Sequence, residues 1–360
     1  MTTERSLPDL PRLSVRLHGG LSAQACVEQA RAAEAAGIDA IWFAENPFAR
    51  GIMPAATACA LATRTQSIGA GVFNPYSRHP TLIAMEIAAL DELSGGRVRL
   101  GIGSGVGHAV ERMGFSYGRA LTTLREAIVI LRALFRGDEV NFAGTVFNVQ
   151  RVKLDFRARA DIPIFMAARG DNAVKACGEL ADGMIVSNMC TRDFVASAVR
   201  RLNEAAHAAG RTASLGVVQY MPCIARPDGA EARRLAKRAV ADMLPAYWAL
   251  GQRLPGAKNA LLQGSGIAES EFAAAAARLK AGEVAEAVLD ERYVAAFTLA
   301  GTAADCRAQA AAYAAAGVTE LALTFADPSA ADDMAAIGKA FAQSSSSRGR
   351  REAPSLGDPA

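Results

Sequence analysis

Gly69-Ala70-Gly71-Val72-Phe73-Asn74-Pro75-Tyr76-Ser77-Arg78-His79-Pro80 is the stretch that decides how this chain folds. The apolar run 67–72 is short and bounded by turn residues, the pattern of a strand covered on both faces. Asn74-Pro75 forces a turn, and His79-Pro80 opens a helix with proline in its first turn. Asparagine, tyrosine, arginine and histidine are thereby gathered beside a strand end, where parallel α/β sheets bind their ligands.

Outward from this stretch one unit recurs from Leu13 on: a brief β-rich run, a polar or glycine break, then an alanine-rich amphipathic helix. Such alternation implies βαβ crossovers and a parallel sheet. Strands are expected at 13–17, 40–43, 67–72, 98–102, 164–167, 183–186, 216–221 and 320–324. Eight is the number that closes a barrel, so the expected fold class is α/β, a single (β/α)8 TIM barrel. Ser22 is placed to cap the first helix and Gly37 to end it in a left-handed conformation. The same phrase returns as Ala315-Ala316-Gly317-Val318 before the last strand, an architectural repeat with no chemical content.

Two segments break the alternation. Residues 137–156 read as a β-hairpin turning near Gly144, and 244–294, with Pro245, Tyr247, Trp248 and Pro255, read as a lid or subunit contact over the barrel mouth. The organisation expected is an N-terminal extension over 1–12, the barrel domain over 13–343 with these two insertions, and a disordered tail over 344–360.

Composition narrows the class further. With 360 residues, 51% hydrophobic and 21% charged, the chain has ample material for a core. Its 39 basic and 36 acidic residues are spread along the whole length, so no basic stripe argues for nucleic acid. Six cysteines (Cys26, Cys59, Cys177, Cys190, Cys223 and Cys306) lack the paired spacing of zinc or redox motifs and read as reduced core thiols; no metal centre is expected. Neither a signal-peptide pattern nor an apolar run of membrane-spanning length is present, so a cytoplasmic location away from membranes is expected.

In a barrel, residues just past each strand share one rim, and here that rim is polar. It collects His18-Gly19-Gly20, Glu45-Asn46, Phe73-Asn74, Gly103-Ser104-Gly105 with His108 close behind, Arg169-Gly170-Asp171-Asn172, and Ser187-Asn188. Each has an ordinary structural explanation: a solvated loop for Glu45-Asn46, a helix cap for His79, tight corners for the glycines. Gly101-Ile102-Gly103-Ser104-Gly105-Val106-Gly107 lacks both the dinucleotide and the P-loop spacing, so alone it is a weak cradle signal. The 169–172 segment opens a helix whose backbone N–H groups suit a phosphate, with Arg169 adding charge; a plain capped helix start fits it equally.

The motifs Ala40-Ile41-Trp42-Phe43-Ala44-Glu45-Asn46, Asn74 to Pro80, Asp91-Glu92-Leu93-Ser94-Gly95-Gly96-Arg97 and Gly101 to Gly105 resemble the bacterial luciferase-like superfamily of flavin- and deazaflavin-dependent oxidoreductases. Within it the chain is similar to the methylenetetrahydromethanopterin reductase-like group, over roughly 13–343. The resemblance implies a flavin-like tricycle at the C-terminal mouth, backed near Gly71-Val72 by a bulge with a non-prolyl cis peptide. It further implies ring contacts from Asn74 and from Gly103, Ser104 and Gly105, a phosphate site at Arg169, Gly170, Asp171 and Asn172, and commonly a homodimer. Glu45 is the expected acid near the reacting centre. Asn46 departs from the histidine of many relatives and cannot titrate, which leaves His18 or His108 as substitutes.

Three chemistries follow from that likeness. The first is hydride transfer between the deazaflavin coenzyme F420 and a small organic substrate, favoured by the Asn74 to Pro80 turn. The alternative is an FMN-dependent monooxygenase, using oxygen and reduced flavin supplied by a partner flavin reductase. A third, non-catalytic flavin sequestration, has Asn46 in its favour.

Overall fold

The computed structural model describes residues 10–325 and 329–342. Its strands are β1 (Arg12–His18), β2 (Ala40–Ala44), β3 (Ser67–Phe73), β4 (Val98–Ile102), β5 (Val140–Ala143), β6 (Asn148–Val152), β7 (Ile164–Ala167), β8 (Gly183–Val186), β9 (Gly216–Ala225), β10 (Leu299–Gly301) and β11 (Glu320–Phe325). The helices are α1 (Ala23–Ala35), α2 (Ile52–Ala62), α3 (Pro80–Ser94), α4 (Gly107–Arg112), α5 (Ala120–Arg136), α6 (Asp171–Leu180) and α7 (Arg192–Ala208). They continue with α8 (Gly229–Gly251), α9 (Pro255–Leu262), α10 (Glu269–Lys280), α11 (Ala285–Val288), α12 (Glu291–Phe297), α13 (Ala303–Ala315) and α14 (Ala330–Ala342).

All eight expected strands are present and close a parallel barrel in the order β1-β2-β3-β4-β7-β8-β9-β11, with β11 pairing back to β1. The TIM-barrel reading therefore holds. Strand β10 was missed: it adds beside the end of β9, where Leu299, Ala300 and Gly301 pair with Cys223, Ile224 and Ala225. The hairpin is β5-β6, an antiparallel pair outside the barrel. The 344–360 tail lies outside the described residues.

Strand alternation sorts side chains into two separate interiors. Leu13, Val15 and Leu17 of β1 and Leu321, Leu323 and Phe325 of β11 face the helices and join the main aliphatic core. Their neighbours on the opposite face form a smaller plug inside the barrel, built on Trp42, Phe165, Ile185, Val218, Tyr220 and Ala322. At its base Glu320 accepts from Arg99 at 2.6 Å and 3.0 Å and from the Trp42 indole at 2.7 Å.

Local chemistry fixes the ends of the elements. Ser22 Oγ accepts from the N–H of Ala25 at 3.1 Å, and Gly37 (φ 75°) and Gly317 (φ 91°) follow their helices in the left-handed region, as expected. The expected start of the long insertion at Leu244 falls inside α8, which runs unbroken through Pro245 to Gly251. Beyond it α9 to α12 pack around Phe272 as a satellite core that includes Leu261, Tyr293, Phe297 and Met189. Thr191 ties this unit to the rim: its N–H donates to the Ala260 carbonyl at 3.0 Å.

Candidate active site

The bulge in β3 is where the site begins. Ile68 and Ala70 face the helices, then the register against β4 shifts between Ala70 and Phe73, so that Phe73 faces them too. Gly71 and Val72 are consequently left on the barrel side, with Val72 packed against the plug. The Gly71-Val72 peptide is cis. Only glycine fits at 71, because φ is 143° and a Cβ would stand 2.2 Å from the Gly101 carbonyl oxygen. A Cβ on Gly103 would stand 2.5 Å from Val72 Cγ1 and 3.2 Å from Ala167 Cβ. Val72, Gly103 and Ala167, at the ends of three adjacent strands, thus form a shallow apolar shelf at the mouth.

The turn after β3 holds the next side chains. Asn74 Oδ1 accepts from the N–H and hydroxyl of Ser77, both at 3.0 Å, so Asn74 shapes the turn. Gly105 packs against it, linking the loops after β3 and β4; a Cβ there would lie 2.9 Å from Asn74 Cβ. Arg78, carried by this turn, stacks on Phe73 at 4.6 Å and bridges two carboxylates, Glu86 and Glu45, the latter at 3.4 Å. His79 is the N-cap of α3 and accepts from Thr81. Burial lowers the pKa of His79, so neutral imidazole is favoured in the cap.

Glu45 is half-buried just past β2. Burial raises its pKa, Glu86 adds to the rise, and Arg78 opposes it in part. Asn46 beside it is exposed. His18 ends β1, its Nδ1 accepting from the Gly20 N–H at 3.1 Å. His108 is exposed on α4, and no hydrogen bond or ion pair among the described residues joins it to Glu45. Ser104 is half-buried beside Gly103.

Arg169 stands just before α6, as read from the sequence, and has two further neighbours. Its guanidinium bonds the Ser187 hydroxyl across the ends of β7 and β8 and lies 5.3 Å from the Tyr247 ring of α8. Gly170 is the N-cap of α6 and makes no side-chain cap, which leaves the first backbone N–H groups of the helix without a side-chain acceptor. Asp171 and Asn172 are exposed, and Asp171 pairs with Arg201 at 3.4 Å. The long insertion reaches this same corner, where Gly256 of α9 meets Gly170.

Below the shelf, Arg16 of β1 points into the barrel, 5.1 Å from the Tyr220 ring centroid, and donates to Thr324 Oγ1 at 3.4 Å. Arg16 and Tyr220 were not among the residues read from the sequence, whereas Arg78, Ser187 and Tyr247 were read only as parts of the turn, the rim and the insertion. The alternation Leu13-Ser14-Val15-Arg16-Leu17 was the available signal for Arg16, since it places a cation on the face opposite the aliphatic one. A separate cleft of about 620 Å³ lies beside α12 and α13, lined by Arg192, Arg233, Glu291, Arg292, Asp305 and Tyr313 among others. Of its lining only Thr191 touches the rim, and Arg233 and Arg292 are already matched to carboxylates.

With this geometry in view, comparison with known proteins is decisive for the family. The family model described as luciferase-like monooxygenase matches residues 5–320. This chain belongs to that family. The 5,10-methylenetetrahydromethanopterin reductase of Methanolobus tindarius is 31% identical over 300 residues, covering 81% of this chain and 87% of its own. An F420-dependent glucose-6-phosphate dehydrogenase of Amycolatopsis mediterranei is 32% identical over 180 residues, 45% of this chain and 53% of its own. The coenzyme F420 dependent tetrahydromethanopterin reductase of Methanopyrus kandleri superposes with a TM-score of 0.81 at 23% identity, covering 93% of this luciferase-like chain and 99% of its own, which establishes the shared barrel fold.

Proposed function

We infer that this chain is an F420-dependent oxidoreductase that transfers a hydride between the coenzyme and a small organic substrate. The observation that carries the reading is the breadth of the likeness to the Methanolobus tindarius reductase, 81% of this chain, joined by a second relative whose name specifies F420. The residues present fit a flat tricycle: an apolar shelf free of Cβ atoms at Gly71 and Gly103, with the buried hydroxyl of Tyr220 and Nε of Arg16 unpartnered beside it. When bound, a deazaflavin supplies a two-electron hydride carrier that does not readily activate oxygen.

The chain's own residues supply the rest. Val72, Gly103 and Ala167 support the ring, with Gly71, Asn74, Ser104 and Gly105 shaping the loops around it. The open start of α6 at Gly170, with Arg169, Asp171 and Asn172 around it, receives a phosphate on its backbone N–H groups. Glu45 holds a proton at its carboxyl and passes it at the reacting centre, with Arg78 fixing its orientation. His18 and Asn46 line the same rim, while His108 stands farther out. The α9–α12 unit over β7 and β8 limits access of water.

Titrating the purified protein with F420 is expected to quench or shift the deazaflavin fluorescence in a saturable way. Tight FMN binding, oxygen consumption with reduced FMN and no F420 response would overturn this reading in favour of a monooxygenase served by a flavin reductase.

The domain organisation we favour is one barrel domain with two insertions. A homodimer is supported by the apolar face of α2 and α3, where Leu61 is 67% exposed and Leu82 and Met85 are 50% exposed. Sedimentation equilibrium is expected to give a dimer, and the Leu82→Glu/Met85→Glu double variant a monomer; a monomeric parent protein would reject it. Among the described residues no helix is long and apolar enough to cross a membrane. A cytoplasmic location is supported by the six cysteines, which are all free and buried.

A further inference from the structure

The barrel interior carries an unbalanced charge. Arg99 is paired with the buried Glu320, whereas no carboxylate among the described residues pairs with Arg16. Arg16 donates only to the neutral Thr324 hydroxyl and stacks on Tyr220, and its buried Nε has no hydrogen-bond partner. Tyr220 is 4% exposed, and its hydroxyl likewise has none. Two unsatisfied donors in the same layer, one of them cationic, are costly unless a ligand completes them. They sit within the plug whose upper edge is Val72 and Ala167, the shelf assigned above to the ring. A neutral ring edge would leave the cation uncompensated; an anionic one would complete it.

We propose that Arg16, with the Tyr220 hydroxyl, is the recognition site for an oxyanion on the edge of the bound deazaflavin, and that it selects this coenzyme over oxidised FMN. The inference rests on the F420 reading. The chemistry is that of a planar, delocalised oxyanion, matched by a planar guanidinium. It has two sources. The 8-hydroxyl of the oxidised coenzyme is a vinylogous acid conjugated to the pyrimidine carbonyls, and the reduced coenzyme carries negative charge on its pyrimidine edge. Oxidised FMN has a methyl group in place of that hydroxyl and an uncharged ring at neutral pH. The other ionisable groups facing this layer are Arg99 and Glu320 below and His18 at the rim above.

The test is equilibrium binding of oxidised F420, reduced F420 and oxidised FMN to the parent protein and to Arg16→Gln, Arg16→Lys and Tyr220→Phe, with melting temperatures of each free protein. Arg16→Gln is expected to weaken F420 binding about 10- to 100-fold, the size of a lost charge-assisted hydrogen bond. FMN affinity should be unchanged, and Arg16→Lys should retain part of the F420 affinity. The free Arg16→Gln protein should melt no lower than the parent, because it loses an unpaired cation.

A loss confined to oxidised F420, with the absorbance titration of the bound 8-hydroxyl moved to higher pH, assigns the contact to that oxygen. A loss confined to the reduced form assigns it to the pyrimidine edge. Parent-like affinity for both forms in a folded Arg16→Gln overturns the proposal while leaving the F420 reading intact; if that variant fails to fold, parent-like affinity in both Arg16→Lys and Tyr220→Phe overturns it. A parent protein that binds no F420 overturns both readings together.

Discussion

Replacing Glu45 by Gln is expected to lower kcat by about 100-fold or more while leaving coenzyme affinity close to that of the parent, the range for loss of a positioned general acid. The side chain is kept in shape and loses only its exchangeable proton. Because burial, reinforced by Glu86, holds the Glu45 carboxyl above its ordinary range, the group stays protonated to higher pH than a surface glutamate. In the direction where it donates, the rate should fall as pH rises through that displaced pKa, and this limb should vanish from the Glu45→Gln profile. The sign for stability is the same. The folded state binds this proton more tightly than the unfolded one, so the contribution is present at low pH and lost as pH rises through the folded value. Full activity in Glu45→Gln would remove Glu45 from the chemistry and return attention to His18.

Replacing Glu320 by Ala is expected to cost about 3–5 kcal/mol of folding stability, read as a lower urea midpoint, because it strands the Arg99 guanidinium and the Trp42 N–H inside the barrel. Replacing both partners, Arg99→Met with Glu320→Leu, should recover most of that loss, since neither charge is then left unpaired. Burial alone would raise the Glu320 pKa, but the Arg99 charge and hydrogen bonds from Arg99 and Trp42 hold it below the ordinary range. Its stabilisation is therefore complete above an unfolded-state pKa of about 4.3 and is lost as pH falls below it through the folded value. A single Glu320→Ala variant with parental stability at neutral pH would show that this ion pair contributes nothing.

Much of this was readable from the chain because the relevant signals are local. The eight strands stand out through short apolar runs ended by glycine or polar residues, and the rim follows once eight are counted. Strand β10 escaped because three residues, Leu299 to Gly301, carry no periodicity. The plug escaped for a different reason. Ser14 and Leu321, or Arg99 and Glu320, are separated by 307 and 221 positions and meet only because the sheet closes on itself. Arg169 shows the limit of reading a helix start: its position was legible, but the choice of Ser187 and Tyr247 as its neighbours depends on β8 and α8. The bulge in β3 lies between these cases, since Gly71 marks the place while the shift in parity is visible only against β4.

The satellite core around Phe272 has a consequence for how substrate gets in and product gets out. Its apolar contacts are mostly with one another, yet it is tied to the barrel at several points: Ala260 joins the main core, Val294 packs with Ile224 of β9 and Ala300 of β10, and Met189, Thr191 and Gly170 meet it past β8 and β7. A body held at this many points is a fixed wall and not a free flap, since lifting it would expose apolar surface from both cores, so substrate and product are expected to pass over the polar loops on the opposite side of the mouth.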